Sequence, residues 1–507
     1  MIIRAQNEAP LVPDQSILQI PREQAPLGNL EGLRQEIPYQ EGFIGDLWEL
    51  GYIPQNLSSV YLTIAFVILS LFFFVFLRKK IQNRVQLAVL YLFTLLALGP
   101  IRLFTPIGIR SLYGVVRLGG LLLAIFLVFR LRKTKLPLLF SSPLLAPLLL
   151  YTTAVLLSYP HVLNSFAFFS SLKLLITGYL FFLVGFFSVQ KIADLKLYAV
   201  FFAYAAGFVS LLMFLGFLFQ NLYKSAMRAL YPLGGYLKFL FDLNRGRLTP
   251  IWDIEFFGHF LLHRFVFLRT SLRWLAPLPF FLLSFVVLLS NTRYRVLILL
   301  FSLLAYLIVS QRIRIFKRLL LPAFFLLLVY VGISNLVFDV NVFERFLLSN
   351  PETDRIPLLV RSSMAQEAIA MAVQFPLTGV GLGNYGEYVT FKYRWHGHPF
   401  DPFYRLVVDV YQRPHSWFFS TVAEVGLLGF SALIWLLWRM LKEDRHLLRM
   451  LSRPSDRTTV LLFMVPTWAY LLGNAITDLY SSLALVILFW FFRGTIHRIF
   501  MVQIGVR

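Results

Sequence analysis

Residues 164–187 read NSFAFFSSLKLLITGYLFFLVGFF, with Lys173 as the single charged side chain. An α-helix needs about 20 mostly apolar residues to cross about 30 Å of hydrocarbon, and this run is long enough. A surface helix of a soluble domain would carry a polar face at helical spacing, and this run has none. Comparable stretches lie near 58–77, 85–104, 113–130, 137–157 and 197–219. Others lie near 273–290, 295–311, 317–334, 415–438, 458–474 and 479–496. The whole chain shares this character: of 507 residues 58% are hydrophobic, 17% aromatic and only 14% charged, and the mean hydropathy is +0.72. About a quarter of an ordinary soluble domain is charged. A soluble enzyme and a disordered chain are therefore excluded, and the expected fold is an all-α polytopic membrane protein. With no cysteine, disulfide scaffolds, thiol nucleophiles and thiolate metal centres are excluded as well.

The net charge of +22 raises nucleic acid as a partner. Nucleic-acid binding needs basic residues gathered on one water-facing surface. Here they sit in small groups between apolar runs: Arg78-Lys79-Lys80, then Arg130, Arg132, Lys133 and Lys135, then Arg312, Arg314, Lys317 and Arg318. Such groups hold short loops on the cytoplasmic side, so the partners expected are membrane lipids and no nucleic acid.

These groups also fix an orientation. The stretch 250–268, PIWDIEFFGHFLLHRFVFL, holds Asp253, Glu255, His259, His263 and Arg264, too polar for a helix facing lipid. If it does not cross, the basic groups of the first half fall opposite those at 312–318 and 439–457. If it does, they share one side. The reading is thirteen crossings, with the N-terminus outside, the C-terminus inside, and 250–268 facing the protein interior, where intramembrane charges are tolerated. Four regions result: a polar N-terminal extension 1–57 with no secretory signal, a helix bundle 58–334, a large outer loop 335–414, and C-terminal helices with a tail at 415–507.

Chemistry-bearing residues gather around the outer loop. Residues 357–374 read as a helix begun by Pro357 and ended by Pro376. Aromatics crowd the rest of the loop, among them Tyr385, Tyr388, Phe391, Trp395, Phe403 and Tyr404, as an interfacial anchor or a sugar-stacking cleft requires. Gly381-Leu-Gly383-Asn-Tyr-Gly386 matches the letters of a dinucleotide fingerprint without its strand–turn–helix context, and reads instead as a tight turn in which backbones approach closely. His415 begins the next span and Glu424 lies nine residues deeper, on the opposite helix face. A buried carboxylate there is costly without a partner. Gly426 and Gly429 permit close helix packing. Arg293 and Arg295 occupy the shortest outer turn, with Arg361 in the loop helix and Arg413 just before His415. Arginines at a membrane interface can simply snorkel to headgroups. Converging, they would instead bind a diphosphate bidentately. His396 and His398 lack carboxylates at ligand spacing, so no metal is expected.

Two stretches together resemble the O-antigen ligase and polymerase superfamily of bacterial inner membranes. One is Arg361 followed by AIAMAVQFPLTGVGLGNYGEYV, similar to that family's arginine, helix and "PLxGVGxGxF"; it contains Gly379 and Gly381. The other is His415-Ser416, nine residues, then Gly426-Leu-Leu-Gly429. Thr292-Arg293 at the head of a span is a third, weaker match. The motifs fall within residues 245–440. The chain departs from the pattern in lacking a tryptophan soon after Arg361, in its N-terminal extension, and in thirteen spans where twelve are usual.

The resemblance implies a glycosyltransferase C-like fold in the inner membrane, with the active site facing the periplasm. A glycan would leave a polyprenyl (undecaprenyl) diphosphate for an acceptor hydroxyl, on lipid A–core for a ligase or on a growing glycan for a polymerase. His415 would then be the catalytic base, and Arg293 and Arg361 the diphosphate clamps. Arg295 and Arg413 are additional phosphate contacts by position, and Glu424 a supporting residue. The chemistry is coherent: an incoming hydroxyl needs a base, and a departing diphosphate needs positive charge where negative charge develops. With such a leaving group no cofactor and no metal are expected. A lipid-linked glycan transporter is the alternative of another class. Transporters usually show paired repeats and broken helices near the midplane, and neither is evident in the sequence.

Overall fold

The structure is a computed structural model. It describes residues 84–98, 112–218, 253–267, 278–290, 292–312, 351–389, 414–477 and 482–505, with short pieces near 241–248 and 324–331. The extension 1–57, the span expected at 58–77 and the aromatic stretch 391–404 lie outside the described residues, as do Arg413 and both loop histidines His396 and His398.

The described chain is helical apart from a two-residue antiparallel ladder, Phe241–Asp242 with Arg247–Leu248. The helices are α1 (Arg84–Leu98), α2 (Leu112–Phe140), α3 (Leu145–Leu157), α4 (Ser165–Ser188) and α5 (Ile192–Leu218). After them come α6 (Leu278–Leu289), α7 (Arg293–Val309), α8 (Pro351–Gln374), α9 (Trp417–Met450), α10 (Pro454–Ile476) and α11 (Leu483–Gln503). Five of these, α4, α5, α9, α10 and α11, are long and apolar enough to cross a bilayer. The protein is an all-α polytopic membrane protein. Local chemistry sets the helix starts. The Asn164 side chain accepts from the backbone N–H of Ala167 to cap α4, and Pro454 occupies the first turn of α10, where a missing N–H costs nothing.

The centre of the bundle is α11, buried from Leu483 to Ile499 around its whole circumference. A helix apolar on every side belongs in a core, and here the neighbours are α4, α9 and α10. Close approach to α4 relies on missing side chains. Any Cβ on Gly178 would run into Trp490, and one on Gly185 or Gly494 into the facing backbone. Small residues let helices in a membrane approach closely enough for dispersion to hold them. The aromatic core packs around this contact, with Phe93 edge-on to Phe491 at 4.6 Å and Tyr470 stacked on Phe489 at 4.6 Å.

One polar knot interrupts the core. The Arg493 guanidinium donates to Asp444 at 2.6 Å and to Glu443 at 3.3 Å, and Trp468 Nε1 donates to Asp444 at 2.8 Å. His497 joins Glu443 at 3.1 Å through Nδ1 and Ser142 at 2.8 Å through Nε2. The knot ties α9, α10, α11 and the α2–α3 turn at one level. Removing one partner of a buried ion pair strands the other, at a typical cost of about 3–5 kcal/mol. Arg493→Met is expected to lower the detergent melting temperature strongly, whereas Arg493→Lys restores part of it. An unchanged melting curve for Arg493→Met would show that the knot holds nothing.

Two expectations about the spans need revision. The basic stretch near 130–135 does not end a helix: α2 continues through it to Phe140, and the chain turns at Ser142, whose hydroxyl accepts from the Leu144 N–H. The following helix α3 is therefore 13 residues long, about 20 Å, too short to cross alone. Residues 254–267 form no regular helix either. They run as a 3-10 turn (Ile254–Phe257), an α turn (Gly258–Leu261) and a π turn (Leu262–Phe267). Their polar groups face inward as expected, with Glu255 and His259 fully buried. The segment runs alongside α7 in the same direction: Asp253 and Glu255 meet Arg295 near the head of α7, and His263 meets the hydroxyl of Tyr306 eleven residues further on.

Candidate functional site

The geometry of the site depends on one break. Helix α9 is interrupted at Gly426, which has φ 70° and ψ −170°, a conformation that residues with a side chain rarely adopt. An unbroken helix would join the N–H of Leu427 to the carbonyl of Ala423, and that of Leu428 to Glu424. Both bonds are missing. Residues 376–381, just after α8, take their place. Leu427 and Leu428 donate to the carbonyls of Pro376 (2.8 Å) and Leu377 (3.3 Å), while Val380 and Gly381 donate to those of Ala423 and Glu424 (both 2.9 Å). The loop thus satisfies the groups that the break exposes, as buried backbone requires. Gly379 and Gly426 make the approach possible. A Cβ on Gly379, at φ 68°, would meet the Glu424–Val425 peptide, and one on Gly426 would meet the carbonyl of Leu377.

The rest of the glycine turn is pinned from the other side. A Cβ on Gly381 would meet Val162, and one on Gly383 would meet α4 at Ser171. The Ser158 hydroxyl accepts from the Leu382 N–H at 3.3 Å. The Asn384 side chain accepts from the Asn164 N–H at 2.7 Å and donates to the Asn164 carbonyl, and the Asn164 amide donates to Glu387 at 3.0 Å. His161 and Phe375 rings meet at 4.9 Å. The α3–α4 turn and residues 375–387 of the loop therefore lie on one side of the bundle.

Glu424 is buried, and its Oε1 accepts from the Tyr385 N–H at 3.4 Å. The Tyr385 hydroxyl donates to the carbonyl of Met364 in α8 at 2.9 Å. Burial pushes that hydroxyl's pKa up, with Glu367 and Glu424 pushing the same way, so it stays protonated as a donor. Through it the glycine turn fixes α8, whose Ala368 and Met371 pack with Val380, Tyr385 and Ala423. Arg361, one turn before Met364, stands exposed on the same helix. His415 sits two residues before α9, half-buried, with its backbone at φ 43°, and Ser416 is the cap of the helix. Gly429 lies one turn beyond the break, 3.7 Å from Ala154 of α3 when its missing Cβ is built.

The two arginines at the head of α7 have different surroundings. Arg293 is exposed at the first position of α7. Arg295 is buried and held by Asp253 at 3.1 Å and Glu255 at 3.2 Å, with its guanidinium beside the Tyr294 ring. Sequence reasoning finds the two carboxylates but does not join them to Arg295, because nothing in residues 250–268 gives the register against α7. It also misses Asn164, Ser158 and Tyr385 as the fasteners of the glycine turn. A lone asparagine between two long apolar runs is the available signal.

The fold is that of a multi-pass helical membrane protein in which a loop segment completes a broken helix, α9, that His415 precedes, while Arg361 stands exposed on the helix packed against it. Residues 278–434 match the family model described as O-antigen ligase, a segment running from α6 into α9 that includes Arg293, Arg361, the glycine turn, His415, Gly426 and Gly429. The match supports the resemblance to the O-antigen ligase and polymerase superfamily, and a ligase- or polymerase-type function. No curated protein matches the chain.

Proposed function

We propose that the protein is a glycosyltransferase that moves a glycan from a polyprenyl diphosphate to an acceptor hydroxyl at the periplasmic face of a bacterial inner membrane. The observation that supports this most is the clasp between the glycine turn and broken α9. It fixes the helix carrying Arg361 against the helix that His415 begins, with lipid-spanning helices below. The α3–α4 turn lies on the same side of the bundle as residues 375–387 of the loop.

In this reading His415 accepts the proton of the acceptor hydroxyl as its oxygen bonds to the anomeric carbon. The bond from that carbon to the diphosphate oxygen breaks, and the lipid diphosphate leaves with the electron pair. Arg361 and Arg293, both exposed, meet the growing negative charge. Arg413 is a further contact by position. Arg295, already engaged by two carboxylates, acts by holding the head of α7, and Glu424 by seating Tyr385. The partners are the lipid-linked donor and either lipid A–core or a second glycan. The His-Ser-x9-Gly-x-x-Gly spacing favours the ligase.

A charge-assisted hydrogen bond contributes about 1.5–3 kcal/mol, or roughly a ten- to hundredfold change in affinity. Arg361→Gln is therefore expected to raise the donor KM about tenfold or more, with the acceptor KM unchanged, in steady-state assays varying each substrate. An unaltered donor KM would remove Arg361 from the diphosphate site. A single new conjugate on lipid A–core means ligase, and a ladder of longer lipid-linked glycans means polymerase.

A further inference from the structure

The end of α9 remote from the glycine turn carries a second feature that the transfer reaction does not use. Arg445 and Arg449, four residues apart on the last turns of α9, and Arg457 in the first turn of α10 line a cavity of about 360 Å3 together with Leu448 and Leu451. No carboxylate lines it. The neighbouring acids on α9, Glu443 and Asp444, point into the core and are spent on Arg493, His497 and Trp468. Asp456, half-buried in the first turn of α10, is the one acid close by in sequence, and it lies outside the lining. The Arg457 Nε–H is buried and has no hydrogen-bond partner among the described residues. Three guanidinium groups around one cavity repel one another unless an anion sits between them.

The lining chemistry suits a phosphate group, and the open volume leaves room for the rest of a headgroup. Guanidinium forks bind phosphate oxygens bidentately, and the two leucines supply an apolar edge. Its position narrows the source. The cavity lies where two bilayer-crossing helices meet, at the end of α9 opposite the outer loop, and headgroup phosphates are the concentrated anions at that depth. We propose that Arg445, Arg449 and Arg457 form a binding site for the headgroup phosphate of an anionic phospholipid, in the leaflet opposite the glycine turn. The lipid would brace the α9–α10 turn, just below the Arg493 knot.

The test is native mass spectrometry of the full-length protein in uncharged detergent, with phosphatidylglycerol or cardiolipin against phosphatidylcholine of matched chains. Retention of the anionic lipids alone is expected. Arg445→Gln/Arg449→Gln/Arg457→Gln should weaken it about a hundredfold, since each basic residue near a bilayer surface contributes about fivefold. Arg449 is exposed, so Arg449→Gln alone should fold normally and lose about fivefold, with Arg449→Lys losing less. Equal retention by the triple variant, or by Arg449→Gln if the triple variant misfolds, would overturn the site. Complete displacement of the lipid by millimolar inorganic phosphate would overturn the lipid as occupant.

Discussion

His415→Ala is expected to lower kcat for glycan transfer by about 10²–10⁴-fold, the range that a positioned general base contributes, with little change in melting temperature. The residue stands outside the helical hydrogen-bond ladder, ahead of the Ser416 cap, so removing its imidazole leaves α9 intact. Donor binding, which the proposal assigns to Arg293 and Arg361, should survive. Single-turnover measurements with saturating donor would separate the two effects. A His415→Ala protein that transfers at the wild-type rate would remove His415 from the chemistry, whatever its effect on KM.

Gly426→Val is the second large effect, and it should act on the fold of the site. A β-branched residue at φ 70° is strained, and its Cβ would strike the carbonyl of Leu377. The helix can relieve this by closing its own bonds from Leu427 to Ala423 and from Leu428 to Glu424. That expels residues 376–381 and breaks the four backbone hydrogen bonds between them and residues 423–428. Each buried backbone group left without a partner costs roughly 1–3 kcal/mol, so the loop should not stay seated. Transfer should fall to background, and the segment 376–388 should become sensitive to limited proteolysis while α9 itself persists. Wild-type resistance to protease together with wild-type activity would contradict the clasp.

The membrane character is legible from single runs such as 164–187, because a bilayer demands an apolar length that composition alone reveals. The candidate site is legible as two motifs, the glycine turn after Arg361 and His415-Ser-x9-Gly-x-x-Gly. What joins them is not. The exchange of residues 376–381 with 423–428 is a backbone pairing between segments over forty residues apart, and no side-chain pattern encodes its register. The glycines signal close approach, but not to what. Gly426 reads as a packing residue and is instead the break in α9, whereas Gly429 does face α3 closely. The broken course of 254–267 escapes for a related reason: its 3-10, α and π turns reflect the pull of Arg295, Tyr306 and Leu462 on Asp253, Glu255, His263 and His259. Local propensity carries none of those partners. The basic residues inside the long α2 suggest a helix end by their charge, yet charge sets no helix boundary, and the helix runs on through them.

The transfer reaction itself is the most direct test of the account. Purified protein in liposomes would receive a polyprenyl-diphosphate oligosaccharide labelled in its reducing-end sugar, together with an acceptor. Label is expected to leave the lipid and appear on the acceptor, with one polyprenyl diphosphate released for each bond formed, and His415→Ala is expected to slow both by at least about a hundredfold. Label that crosses the bilayer with its diphosphate bond unbroken would make the protein a transporter and contradict the account.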